Sequence, residues 1–347
     1  MFVLKEKIEN EGGLQFEVIS KNNIVIKDDK GLKKISNENH FYLNSTPCDF
    51  LFFNNKIYVT HWDNNYSIID LTTEKLIETN KSKAFFKISE SLIGLSYIES
   101  DKEYFGLLDK ENNLITKFKI QFCSTQSTLV SNIWVGLLDL HTLIGYNIFI
   151  KELLWEIPLK NLGKYKSGVE EKDYRISQFA GSYKKKILAT LYNGGIMMAD
   201  VETGSIIKFW PNTKLEYWLS PSKNNSHIFW GLNHKTFIEI DAEKEIIVRQ
   251  IDIEKTIKES FQIPDETQLY IFVNTSRVYD GLIYFKADKD LIGVFDPSNE
   301  KILWKYKFEF GRSGAFIPAG QDAIQVNGAN LYVMDNKGTL YIFNKER

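Results

Sequence analysis

An all-β fold assembled from repeated strand units is what this sequence predicts, on three observations. Short runs rich in β-branched and aromatic residues alternate apolar and polar, as in Lys56-Ile-Tyr-Val-Thr-His61 and Tyr66-Ser-Ile-Ile-Asp70. Turn-forming Asp, Asn and Gly punctuate the runs. The same strand–turn–strand segment then recurs along the chain. Aromatic residues reach 14%, which suits packed sheets, and only seven prolines interrupt the runs. Ile253 and Ile257, four apart, mark the one expected helix, Ile253–Ser260.

The elements follow in order. Asn23–Ile35 aligns with Asn330–Ile342: each is a strand, a polar turn ending in Lys-Gly (Lys30-Gly31 and Lys337-Gly338), and a second strand. Lys186–Asp200 and Leu282–Asp296 are further copies. After each such unit an Asp or Asn ends the strand and a short polar turn leads to another apolar strand. The cases are Asp70, Asp109, Asn147, Asp200, Asp241 and Asp296. A carboxylate or amide there accepts from backbone N–H groups just ahead and so closes the turn. Eight residues after Asn147 stands Trp155, and eight after Asp296 stands Trp304. Both fall on the next strand, where a large flat side chain packs between sheets.

The ends of the third strands, near Ile35, Asp70, Asp109, Asn147, Asp200, Asp241, Asp296 and Asn344, give eight units. Seven is the alternative, because the first unit is the weakest. The last unit stops without a fourth strand, and the run Phe2–Ile8 has no unit of its own. The expectation is that Phe2–Ile8 closes the last unit, since an open edge would leave backbone groups unpaired. No linker or composition shift divides the chain, so residues 1–347 are expected to form one domain. Three long connections stand out at 160–175, 252–266 and 311–321.

The Asp/Asn turn followed by Trp resembles the quinoprotein-like (PQQ-type) repeat Asp-x-x-Thr-Gly-Lys-x-x-Trp. The resemblance covers most of the chain in degenerate copies. Asp200-Val-Glu-Thr-Gly204 keeps the Thr-Gly, Trp155 and Trp304 keep the aromatic, and Glu78, Lys208 and Arg249 stand in its place elsewhere. It implies a closed β-propeller of four-stranded blades, with the fourth-to-first connections and second-to-third turns on one face. It carries over blade residues alone, so no cofactor is expected.

Composition limits the function. The chain has 347 residues, 43% hydrophobic and 25% charged, with a net charge of −2 and five arginines. This argues against nucleic acid as a partner. Two cysteines, Cys48 and Cys123, cannot build a disulfide framework and read as small core residues. The N-terminal run is too short for a signal peptide, and no uncharged apolar stretch is long enough to span a membrane. A cytoplasmic monomer is expected. The five histidines lack metal-ligand spacing, and no nucleophile elbow, phosphate loop, sialidase Asp-box or WD40 signature is found. Trp62-Asp63 opens a turn, whereas a WD40 pair ends a strand.

No catalytic, metal or cofactor residue is therefore assigned. The expected function is non-catalytic binding of a protein by the loop-rich face. A bacterial immunity or antitoxin-type role is a narrower form, suggested by a composition rich in Lys, Ile and Asn. The expected contact residues are Trp62, Tyr165, Tyr174, Arg175, Tyr192, Arg312 and Phe316, because Trp, Tyr and Arg carry interface energy. The alternative is a hydrolase or lyase with a metal or carboxylate site in the central channel. An outer-membrane assembly scaffold would need an export signal.

Overall fold

A computed structural model describes residues 2–346 apart from 10–14, 21–22, 36–39, 44–46, 63–64, 82–83, 90, 100–101, 120–126, 214, 216–217, 224–225, 234, 270, 272–274, 311–314 and 319–322. Strand predominates among the described residues, and the strands form eight antiparallel four-stranded sheets in chain order, the blades of a β-propeller.

Blade 1 holds Gln15–Ser20, Asn23–Lys27, Leu32–Ile35 and His40–Leu43. Blade 2 holds Asp49–Phe53, Lys56–Thr60, Asn65–Asp70 and Lys75–Lys81. Blade 3 holds Ala84–Lys87, Ile93–Glu99, Lys102–Leu108 and Leu114–Lys119. Blade 4 holds Ser127–Val130, Ile133–Asp139, Thr142–Asn147 and Glu152–Pro158. Blade 5 holds Ile176–Tyr183, Lys186–Leu191, Gly195–Asp200 and Ile206–Trp210. Blade 6 holds Leu219–Pro221, Ile228–Leu232, Thr236–Asp241 and Ile246–Asp252. Blade 7 holds Arg277–Tyr279, Leu282–Ala287, Leu291–Asp296 and Lys301–Lys307. Blade 8 takes Ile324–Asn327, Asn330–Met334 and Leu340–Lys345 from the end of the chain and Phe2–Ile8 from its start.

Two compact units divide the chain. The first comprises Met1–Thr46 and Ser220–Arg347 and holds blades 1, 6, 7 and 8; the division falls at Leu219, the opening residue of blade 6. The second, Pro47–Leu219, holds blades 2 to 5.

The third-strand markers fall where the turn chemistry places them. Each of the six Asp or Asn side chains accepts two backbone N–H bonds from the residues ahead, at 2.8–3.3 Å. The two aligned Lys-Gly turns share a second cap. Asp28 accepts from the N–H groups of Lys30 and Gly31, and Asp335 from those of Lys337 and Thr339. Phe2–Ile8 pairs antiparallel with the third strand of blade 8, from Phe2 opposite Lys345 to Ile8 opposite Leu340.

Within each unit the apolar cores lie between successive blades. In the second unit one cluster joins blades 4 and 5 through Val135, Leu143, Ile157, Ile187, Ala189 and Met197. In the first unit Phe2, Tyr284, Trp304, Val333 and Phe343 join blades 7 and 8. Second and third strands are buried on both faces, as in blade 5, whereas fourth strands alternate between buried and exposed. This is the burial expected of stacked sheets whose last strand meets solvent.

Two of the three long connections carry secondary structure of their own. The expected helix forms over Ile253–Phe261, capped by the Asp252 carboxylate, which accepts from the Glu254 N–H. Between blades 4 and 5 a 3-10 turn, Leu159–Leu162, leads into a separate hairpin of Lys164–Ser167 and Glu170–Asp173.

Candidate interaction surface

Strands that alternate direction place second-to-third turns and fourth-to-first connections at one end of a blade. The other two kinds of turn fall at the opposite end. The described contact residues predicted from the sequence belong to the first end, and the structure sorts them into three groups.

Tyr165 and Tyr174 are corrected. Both are buried in the core between blades 4 and 5 and offer no surface to a partner. The physical reason is the hairpin. It turns these residues onto the blade, so their rings pack together at 5.3 Å and Tyr174 meets Phe209 edge-on at 5.2 Å. Burial, with Tyr165 beside it, raises the Tyr174 phenol above its ordinary pKa.

Arg175 and Tyr192 are brought together in the second unit. The Tyr192 N–H donates to the Arg175 carbonyl at 3.0 Å, and the Arg175 guanidinium lies 5.0 Å from the centre of the Tyr192 ring. The first residue closes the connection into blade 5 and the second opens that blade's second-to-third turn. The next residue, Asn193, has φ 65° and donates to the Lys166 carbonyl of the hairpin at 3.0 Å. Connection, turn and hairpin are thereby tied into one half-exposed assembly. In the same unit Trp62, in the corresponding turn of blade 2, is 74% exposed.

In the first unit Phe316 is 39% exposed, and its segment is fastened to the second-to-third turn of blade 8. The Phe316 N–H donates to the Asn336 side chain at 2.8 Å, and the Asn336 N–H donates to the Phe316 carbonyl at 2.9 Å. Arg312 lies outside the described residues.

Sequence reasoning missed an apolar feature at the opposite end of blade 4. The Asn147 turn carries Phe149, 80% exposed, and Ile150, 53% exposed, beside exposed Leu153 and Leu154 on the fourth strand. The Asn147 cap uses only its own amide oxygen and the backbone N–H groups of Phe149 and Ile150, which leaves both side chains outside the turn. The exposed run Phe149-Ile150 was the available signal.

The two tryptophans behave as expected of packing between blades. Trp155 is buried, and its indole N–H donates at 2.7 Å to the carbonyl of Val201, the residue after Asp200 in the next blade. Gly204, at φ +70°, lies flat against that ring; a Cβ there would fall 2.7 Å from the indole. Trp304 is likewise buried and donates at 2.7 Å to the Phe2 carbonyl. Arg249 stands where those tryptophans stand, eight residues after Asp241. It donates at 2.7 Å to the carbonyl of Pro297, the residue after Asp296, and ion-pairs with Glu239 and Glu300.

Among the described residues no group of three or more His, Cys, Asp or Glu side chains is placed to hold a metal ion. No described helix is long and apolar enough to cross a membrane.

No protein-family model matches the chain, and no curated protein matches it. Solved structures do. The C-terminal WD40 domain of Sif2 superposes with a TM-score of 0.69 at 10% identity, covering 99% of both chains. BamB from Moraxella catarrhalis gives 0.63 at 9% identity over 99% of this chain and 100% of its own. The computationally designed Ika8 protein gives 0.63 at 14% identity over 96% of each. At these identities the likeness shows the β-propeller fold alone.

Proposed function

We propose that this protein is a non-catalytic binding propeller whose loop-rich blade ends take a protein partner. The observation that carries the reading is the Arg175–Tyr192 pair. A connection and a turn from different strands are fastened together by a backbone hydrogen bond and a cation–π contact, both half-exposed. Surface loops held in one conformation bind at a low ordering cost, and Arg, Tyr and Trp dominate interface energies. Exposed Trp62 and Phe316 supply large contact area on the same kind of blade end. A net charge of −2 with five arginines suits a protein partner better than a phosphate backbone.

The finer reading is a single-domain, cytoplasmic, monomeric protein of the bacterial immunity or antitoxin type, built from quinoprotein-like repeats. Support for the repeat comes from Trp155, its carbonyl acceptor on Val201 and the glycine of the Thr-Gly pair beneath its ring.

Affinity capture with the full chain from a lysate of its source organism tests the proposal. The bait is compared with a variant carrying Trp62→Ala, Arg175→Ala, Arg312→Ala and Phe316→Ala. Capture should be lost while the melting temperature stays within a few degrees. A partner held equally by both baits, or mapped by crosslinking to the fourth strands, would refute the assignment.

A further inference from the structure

The hairpin between blades 4 and 5 is a sheet of two strands that joins no blade, so it has an edge on either side. Its turn, Gly168-Val169, lies between Ser167 and Glu170, which stand opposite each other. In a two-residue hairpin the pair flanking the turn exchanges backbone hydrogen bonds, and so does every second pair after it. Ser167 with Glu170 and Tyr165 with Lys172 are therefore the bonded pairs. The remaining pairs, Lys166 with Glu171 and Lys164 with Asp173, direct their N–H and C=O groups away from the hairpin.

One edge is in use. The Lys166 carbonyl accepts from the Asn193 side chain at 3.0 Å, which agrees with that register and fastens Lys164–Ser167 to blade 5. The other edge is open. The N–H and C=O groups of Glu171 and Asp173 bond to no other described residue. The 3-10 turn Leu159–Leu162 runs almost directly into Lys164 and so adjoins the base of the hairpin, while Glu170, Glu171 and Lys172 stay exposed. No bulge interrupts the strand and no proline stands in it, so two common blocks to strand pairing are missing.

Side chains alternate between the two faces of the hairpin. Tyr165 turns into the core between blades 4 and 5, so Lys164 and Lys166 face away from the blade, and the residues opposite them, Asp173 and Glu171, share that face. Among the described residues neither of these two carboxylates has an ion pair or a hydrogen bond, although the lysines stand across from them. Glu170 pairs with Lys172 at 3.1 Å on the other face. A strand added at the open edge would set every second side chain beside Glu171 and Asp173. Two carboxylates two residues apart match cations of the same spacing.

We infer that the edge Glu170–Asp173 takes an extended basic segment of the protein partner by antiparallel strand addition, with Lys or Arg at alternate positions. The backbone of Glu171 and Asp173 supplies the ladder, and their carboxylates select the charge. The hairpin's own first strand, Lys-Tyr-Lys-Ser, presents the same alternation to these two residues from the inner side. Through Asn193, next to Tyr192, the hairpin belongs to the loop-rich blade end. The inference therefore names the chemistry of the partner and rests on the proposal that a protein binds at that end.

Fluorescence anisotropy of a short labelled peptide of alternating Thr and Lys, titrated with the full chain at low ionic strength, tests the assignment. A peptide of alternating Thr and Glu should bind about tenfold or more weakly. N-methylation at the lysines removes the ladder donors and should weaken binding by a similar factor. N-methylation at the threonines, whose N–H groups face away from the edge, should leave affinity within about twofold. Glu171→Lys and Asp173→Lys should each weaken the parent peptide about tenfold. Should either variant fail to fold, the peptide series still decides. No binding, equal binding of the Thr–Glu peptide, indifference to methylation at the lysines, or full affinity in Glu171→Lys would overturn the proposal. A lysate partner lost from the fourfold variant but kept by Glu171→Lys would uphold the loop-rich end and overturn the strand addition alone.

Discussion

Three fourth-strand side chains, Trp155, Arg249 and Trp304, each donate at 2.7 Å to a carbonyl of the following blade. The carbonyl they reach follows the turn-capping Asp in two cases and belongs to the closing strand in the third. An indole and a guanidinium share little chemistry except a flat donor at the end of a long arm, and that is what the position requires. Trp155→Ala should cost about 3–5 kcal/mol, through the cavity and the stranded Val201 carbonyl, measured by denaturant unfolding. Trp155→Phe should cost distinctly less, because it forfeits the hydrogen bond and keeps most of the packing. The capping carboxylates set the acid response. Burial alone would raise the Asp28 pKa, but the hydrogen bond from Lys33, the Lys30 and Gly31 N–H groups and the Lys33 charge at 2.8 Å outweigh it and lower it. Asp241 is lowered in the same manner, burial being outweighed by the N–H groups of Lys244 and Glu243 and the Lys244 side chain. A folded pKa below the unfolded value of about 3.9 gives stability that is complete above that value and lost as pH falls through the folded one. Asp28→Asn should therefore lower stability at neutral pH and flatten its fall below about pH 4 in urea titrations. These caps were legible in the sequence because they act over two or three residues. Arg249 was legible as a position eight residues past Asp241, but not as a donor, since its acceptor lies in another blade.

At the scale of elements, the strand Phe2–Ile8 is the clearest success of the sequence reading. An unpaired run at one end and a three-strand unit at the other implied each other. The structure pairs them through six residue partners, with a bulge at Lys5, and buries Phe2 between Trp304 and Tyr284, with ring centres 5.4 and 6.0 Å away. Deleting residues 2–8 should lower the melting temperature markedly, because it opens an edge, strips the Trp304 acceptor and empties a core site. A truncated chain that melts like the intact one would show that blade 8 stands on three strands. The hairpin of Lys164–Asp173 was not legible. Its strands, Lys-Tyr-Lys-Ser and Glu-Glu-Lys-Asp, carry one apolar ring between them, so no period distinguishes them from a polar loop. That gap misplaced Tyr165 and Tyr174 on the surface.

For the whole molecule, the eightfold count followed from turn markers because every third strand ends at or within a residue of one. The candidate surfaces were legible only in part. Residues on one connection, such as Arg175, could be assigned to a blade end from spacing. The bonds from Gln325 to Val18 and Phe16 could not be, because these residues are distant in sequence and meet only through the ordering of blades. The pairing of Phe2–Ile8 with Leu340–Lys345 also dictates a timetable. On a ribosome adding about 5–20 residues per second, the strand made first waits roughly 17–70 s for its partner. Phe2 has no aromatic neighbours until Tyr284 and Trp304 are made, and throughout the interval the strand has no ladder. The nascent chain is thus an open-ended stack until its last strand emerges, and the window for mispairing with another nascent copy lengthens with every slow codon.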